Sequence, residues 1–260
     1  MKLKIYQVDA FSNKVFSGNP AAVCLLGYWI TDEILQQIAS ENNLAETAFL
    51  VETASGYHIR WFTPKAEVDL CGHATLATAF ILFRFSAKDE HMISFQSRSG
   101  ILTVTKDIDW LTLNFPADKI SKTELSQELL CCFNRTPVEV YRGLTDYMFV
   151  FSSENEILNI IPDFANIKNI EARGIIITAK GDDTDFISRF FAPAVGIDED
   201  PVTGSAHTTL APYWSKQLSK MELTARQVSE RGGFLMCRVV GERVEISGQS
   251  VLYLEGEIFI

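Results

Sequence analysis

Apolar positions along this chain fall into two kinds of pattern. Short runs rich in β-branched and aromatic residues, many of them alternating, recur from end to end. They cover Lys4–Val8, Ala48–Val51, His58–Phe62, Ile101–Val104 and Leu111–Phe115 in the first half. In the second half they cover Tyr147–Phe151, Gly174–Thr178, Phe234–Val240 and Val251–Leu254. These runs predict β-strands. Residues 72–85 differ: with Leu76, Phe80, Ile81, Leu82 and Phe83 among them, they are apolar nearly all round. That is the pattern of a helix covered on every side. Residues 204–218 predict its counterpart, which Pro212 should kink or shorten. A more ordinary surface helix is expected over 31–41, with Thr31 as N-cap and Ile34, Leu35 and Ile38 as its apolar stripe. A curled sheet around a central helix, formed once in each half, accommodates both patterns.

The halves also share sequence. Arg60-Trp61-Phe62-Thr63-Pro64 recurs as Arg189-Phe190-Phe191-Ala192-Pro193, and each is followed, after a short acidic loop, by a glycine that opens an apolar segment (Gly72, Gly204). Gln96-Ser97-Arg98-Ser99-Gly100-Ile101-Leu102 recurs as Ser229-Glu230-Arg231-Gly232-Gly233-Phe234-Leu235. Three blocks in the same order, about half a chain apart, point to a duplicated unit. Pro116 follows the last strand of the first unit, and the polar stretch to Thr123 reads as a linker. The expected architecture is therefore α+β, with two pseudo-symmetric domains, 1–116 and 117–260.

Composition narrows the function. Of 260 residues, 47% are hydrophobic and 22% charged, an ordinary soluble balance. No apolar run approaches a membrane span, and the alternating Met1–Tyr6 lacks a signal peptide's apolar block, so a cytoplasmic protein with no membrane partner is expected. A net charge of −10 without a basic stripe argues against nucleic acid. It also means that an anionic substrate must be held by local groups. The five cysteines fit neither a disulfide framework nor a zinc spacing. Cys24, Cys131, Cys132 and Cys237 read as buried thiols, and Cys71 stands apart beside Gly72. The dinucleotide-binding glycine motif, the P-loop, the His-Glu-x-x-His pair and the nucleophile elbow are all missing.

Several residues could carry chemistry, each with a plainer alternative. A helix N-terminus offers unpaired N–H groups and a partial positive charge of about 0.5. Two such starts, at Gly72 and Gly204, facing one cleft would hold an anion without lysine or arginine; alternatively the glycines let helix and sheet pack closely. His73, in the first turn, is either a neutral proton relay or a structural histidine. Glu46 is the one charge in Leu44–Val51, either solvated on a strand face or buried as an acid/base. Asp200 precedes the second helix start and could simply cap it, as could Thr203. His207 reads as structural, and the Phe16–Val23 segment as a turn before a buried strand, from which Asn19 could also line the cleft.

Taken together, Phe16–Val23, Asn43–Phe49, Leu70–Ala77 and Glu199–His207 resemble the motifs of the phenazine-biosynthesis, PhzF-like isomerase family over essentially the whole chain. The resemblance implies the diaminopimelate-epimerase-like fold, a site between the domains and a homodimer. It implies a proton shift, without metal or organic cofactor, of the kind that isomerises a dihydro-hydroxyanthranilate. By the same resemblance Glu46 corresponds to the acid/base, and His73, Asp200 and Ser205 to assisting groups. The backbone N–H groups of Gly72, His73, Gly204 and Ser205 correspond to the holders of the substrate carboxylate. Related racemases use two thiols, and no cysteine lies between Phe186 and Trp214 to join Cys71. The expectation is a cofactor-independent isomerase acting on a small carboxylate-bearing metabolite. The alternatives are a non-catalytic binding protein of the same fold and an epimerase.

Overall fold

A computed structural model of the chain describes residues 1–54 and 56–260. The chain forms two compact units, Met1–Asn114 with Ser247–Ile260, and Phe115–Ile246.

The first unit contains, in order, β1 (Lys2–Ala10), β2 (Asn19–Leu26), α1 (Asp32–Asn42), β3 (Glu46–Thr53), β4 (Gly56–Phe62), β5 (Glu67–Val68), α2 (Gly72–Phe85), β6 (Met92–Ser97), β7 (Gly100–Asp107) and all but the last two residues of β8 (Trp110–Pro116). β1 pairs antiparallel with β2, β2 runs parallel to β3, β3 is antiparallel to β4, β4 parallel to β6, and β6 antiparallel to β7. Parallel neighbours need a crossover, and α1 and α2 are the two crossovers. α2 packs against β1, β2 and β3 and buries ten of its fourteen residues, including Leu76, Ile81, Leu82 and Phe83. The all-round apolar segment is thus the covered helix its pattern predicts. α1 is amphipathic, with Leu35, Ile38 and Ala39 buried. Thr31 takes the extended N-cap conformation, but its side chain does not close the cap.

The second unit contains β9 (Ser121–Thr123), α3 (Gln127–Leu130), β10 (Glu139–Arg142), β11 (Asp146–Val150), α4 (Glu154–Leu158), α5 (Phe164–Lys168), β12 (Gly174–Lys180), β13 (Phe186–Phe191), α6 (His207–Leu218), β14 (Glu222–Gln227), β15 (Gly233–Val240) and all but the last two residues of β16 (Arg243–Gly248). From β10 to β15 the pairings run antiparallel, parallel, antiparallel, parallel, antiparallel. This is the order found from β1 to β7, again with the main helix crossing over at the second parallel step. The repeated arginines are used alike in the two units. Arg60 forks onto Glu67, with two bonds of 2.7 Å, and Arg189 onto Glu199 at 2.8 and 2.9 Å.

The structure departs from the sequence expectations in the last strand, at the start of the second main helix and at Cys131. The last strand, β17 (Ser250–Phe259), which contains Val251–Leu254, pairs antiparallel with β1, so the chain's end belongs to the first unit rather than to 117–260. Nothing local signals a pairing across almost the whole sequence. The second main helix does not start at Gly204: Gly204–Ala206 form a 3₁₀ turn, and the α-helix begins at His207. Pro212 sits inside α6 without ending it. A proline has no N–H for the carbonyl four residues back, and that carbonyl, on Thr208, accepts instead from Asp118 N–H at 3.1 Å. Finally, all five cysteines are free, but Cys131 is exposed. Burial pushes the Cys24 and Cys237 thiols up to about 12 and Cys132 to about 11.

No helix among the described residues is long and apolar enough to cross a membrane.

Candidate active site

Glu46 is the first residue of β3, three residues after the left-handed Asn43 that ends α1. Its partner position on β2 is Ala21, and its side chain is only 12% exposed. The alternative of a solvated strand face is thereby excluded. His73 is the second residue of α2 and is also buried, 7% exposed in its side chain. Its Nε2 lies 3.2 Å from Glu46 Oε2, at ion-pair distance though not aligned as a hydrogen bond. On the other edge of the ring, Nδ1 lies 3.6 Å from Cys71 Sγ. Burial pushes the His73 imidazole down to about 3, and the first turn of a helix disfavours the imidazolium further. A neutral ring between a carboxyl group and a thiol can take a proton at one nitrogen while giving one up at the other.

Cys71 is the N-cap of α2 in extended conformation, and its side chain accepts no cap bond. Its carbonyl accepts Thr75 N–H at 3.2 Å and the Thr75 hydroxyl at 2.5 Å. The N–H groups of Gly72, His73 and Ala74 precede the first intrahelical bond, as the first turn of any helix requires.

Glu46, Cys71 and His73 each bring one ligand atom to within 4.8 Å of the others, a donor set that could also hold a metal ion. The present contacts favour a row over a chelate. Thiol and carboxylate address opposite nitrogens of the ring, whose lone pairs diverge, so one ion could not take all three without breaking a contact.

Asp200, Gly204 and Ser205 belong to the second unit. Asp200 is 8% exposed, its Oδ2 accepts the Thr203 hydroxyl at 2.5 Å, and its N–H donates to Phe190 O. Thr203 therefore spends its hydroxyl on Asp200 and does not cap the following turn with it. Gln227, 1% exposed, clamps the same loop: it accepts from Thr203 N–H at 2.8 Å and donates to Asp200 O at 2.7 Å. His207 is fully buried, with Nδ1 2.9 Å from Thr203 O; a carbonyl only accepts, so Nδ1 carries the proton. Burial pushes its pKa down to about 4 against the opposing pull of that bond, and the ring tilts over Phe186. The structural reading of His207 fits these contacts.

Arg173 and Gln227 escaped the sequence reading. Arg173 donates from Nε to Asp146 Oδ1 at 2.9 Å and from Nη2 to Asp146 Oδ2, and from Nη1 to Ser205 Oγ at 3.0 Å. Burial works against its charge, but the bonds to Asp146, with Asp200 and Asp118 nearby, more than offset it and raise its pKa. The only local signal was an isolated cation before the apolar run of β12. Gln227 gave none, being one polar residue in an alternating strand.

With this geometry in place, the likenesses to known proteins are direct. The family model described as phenazine biosynthesis-like protein matches residues 8–256. An uncharacterized isomerase of Pseudomonas aeruginosa is 49% identical over 99% of both chains. The crystal structure of a PhzF-family phenazine biosynthesis protein from Enterococcus faecalis superposes with a TM-score of 0.97, at 46% identity over the whole of both chains. A hydroxyproline epimerase from Agrobacterium vitis shares the fold alone, with a TM-score of 0.60 at 10% identity over 99% of this chain and 92% of that one. In sequence and in fold, the chain belongs to the phenazine biosynthesis-like family.

Proposed function

We propose that this protein is a cofactor-independent isomerase that moves a proton on a small, unsaturated, carboxylate-bearing metabolite. Glu46 removes the proton from a carbon next to the unsaturated system and returns it at another carbon. His73, neutral between Glu46 and Cys71, relays or holds the proton during the shift. Asp200 serves as a further proton-handling group. The N–H groups of Gly72 and Gly204 and the polar atoms of Ser205 hold the carboxylate. The reading rests chiefly on the buried contact between Glu46 and the uncharged His73. Such burial is costly for two polar groups, and an acid/base working near neutrality gains from it. The proposed protein partners are limited to a second copy of the chain.

The test is solvent exchange. Incubated in heavy water with a dihydro-hydroxyanthranilate or another β,γ-unsaturated small acid, the protein should place deuterium at the carbon that is reprotonated. Glu46→Gln keeps the shape and removes the base, so it should abolish exchange while leaving ligand affinity within about tenfold, or ~1.4 kcal/mol. Undiminished exchange in Glu46→Gln would overturn the mechanism.

A further inference from the structure

The role of Ser205 is constrained by the bond it already makes. Its oxygen accepts from Arg173 Nη1 at 3.0 Å. The guanidinium cannot easily turn away, because Nε and Nη2 are both committed to Asp146, a residue only 3% exposed. It is further seated 5.2 Å over the ring of Phe190. Gly174, the next residue, leaves room for this: a Cβ there would meet Phe190 Cζ and Phe191 O, each at 2.6 Å.

Arginine carries donors and no acceptor. Ser205 must therefore be the acceptor in their bond, and its single hydroxyl proton is left to be donated elsewhere. Among the described residues that proton has no acceptor; the other Ser205 bonds, from Thr208 Oγ1 and His207 N–H, go to its carbonyl. The setting is acidic, with Asp146 bound to Arg173 and Asp118 and Asp200 close enough to act on its charge. An anion is consequently not drawn there by net charge. It would be held by donors aimed at it, with Arg173 offsetting the carboxylates around them.

We infer that Arg173 is a positioning residue that fixes the Ser205 hydroxyl as an obligate donor toward a ligand carboxylate oxygen. The inference rests on the proposed reading of Ser205 as a substrate-binding residue, and it adds how that residue is oriented and by what.

Formate, the smallest carboxylate, tests it without turnover. In NMR titrations of the full chain, formate should shift the Gly204 and Ser205 amides and the Arg173 Nη resonances. The Arg173 response should vanish in Ser205→Ala, whereas a guanidinium that only supported the fold would not respond to formate at all. Ser205→Ala and Arg173→Lys, which keeps the charge but not the fork, should each weaken formate about tenfold. The double variant should be no weaker than Ser205→Ala alone, because the two residues act as one. If Arg173→Lys does not fold, Arg173→Gln with Asp146→Asn removes both charges together and should match Ser205→Ala. Losses that multiply, or no response at Gly204 and Ser205 in the wild type, would overturn the inference. Formate binding at Ser205 in a protein that exchanges no deuterium would sink the isomerase reading and leave this inference standing. Exchange combined with multiplying losses would do the reverse.

Discussion

The N–H of Asp118 donates to the carbonyl of Thr208 at the acceptor that Pro212 leaves without a helical partner. The Asp118 side chain continues the connection, accepting from Thr209 Oγ1 at 2.9 Å and from Leu144 N–H at 3.2 Å. A helix with a proline inside it is thereby held by a residue that sequence alone assigns to a linker. Asp118→Ala leaves the backbone bond in place but deprives two donors of their acceptor, and should cost about 1–3 kcal/mol. Urea unfolding of the two proteins measures this, and an unchanged midpoint would show that the Asp118 side chain adds nothing to the bracing of α6.

Both buried histidines predict acid sensitivity. In the unfolded chain each takes up a proton near pH 6.5, whereas burial holds His73 at about 3 and His207 at about 4 in the folded protein. Between those values the unfolded state binds more protons, so stability is full above pH 6.5 and falls as the pH drops toward 4. Each histidine should contribute roughly 1 kcal/mol per pH unit in that window. His207→Asn should make the decline shallower in urea titrations from pH 7.5 to 4.5. A decline as steep as that of the wild type would mean that other groups cause it.

Cys71 separates two chemistries. As a neighbour of His73 Nδ1 it helps to orient the ring, and serine at 71 can make the same kind of contact, so Cys71→Ser should keep deuterium exchange within about threefold of the wild type. His73→Ala removes the proposed relay and should lower exchange by roughly 10²–10⁴, the usual worth of a positioned acid/base group. Near-complete loss in Cys71→Ser, with His73→Ala mild, would instead indicate a thiol base.

Gly18 is required by its backbone. Its φ is +72°, and a Cβ there would stand 2.2 Å from the carbonyl oxygen of Ala10. Because the obstacle is backbone, no side-chain movement relieves it. Gly18→Ala should destabilise the protein by about 2–4 kcal/mol, strain and clash together, read as a lowered melting temperature. It should also disturb the turn that holds Asp9 Oδ2 against Phe16 N–H at 2.9 Å.

The parts of this molecule that were legible in its sequence are those fixed by local periodicity or by repetition. α2 could be read because ten buried residues in fourteen leave no polar face. The equivalence of Arg60 and Arg189 could be read because the same residue, in the same strand, forks onto a glutamate in both units. Glu46 and His73 could be picked out by their surroundings and by family likeness, but no spacing announces that a strand's first residue will meet a helix's second at 3.2 Å. The 3₁₀ turn at Gly204–Ala206 was hidden because its bonds go to a loop held by Gln227, more than twenty residues further on. Arg173 was hidden for the same reason: Asp146 and Ser205 give it meaning, and neither is near it in sequence.

The return of β17 to β1 also bears on how the chain is made. Domains generally fold as they emerge from the ribosome, the N-terminal one first. Here the unit that begins the chain lacks its last strand until residues 250–259 have been synthesised, whereas Phe115–Ile246 is continuous. The later-made unit can therefore reach its native state first. Until then β1 exposes a strand edge with Ile5, Tyr6 and Val8 on it, all buried in the finished protein. An uncovered edge of this kind is open to pairing with other strands, so the closing of β17 onto β1 protects the chain as well as completing its first unit.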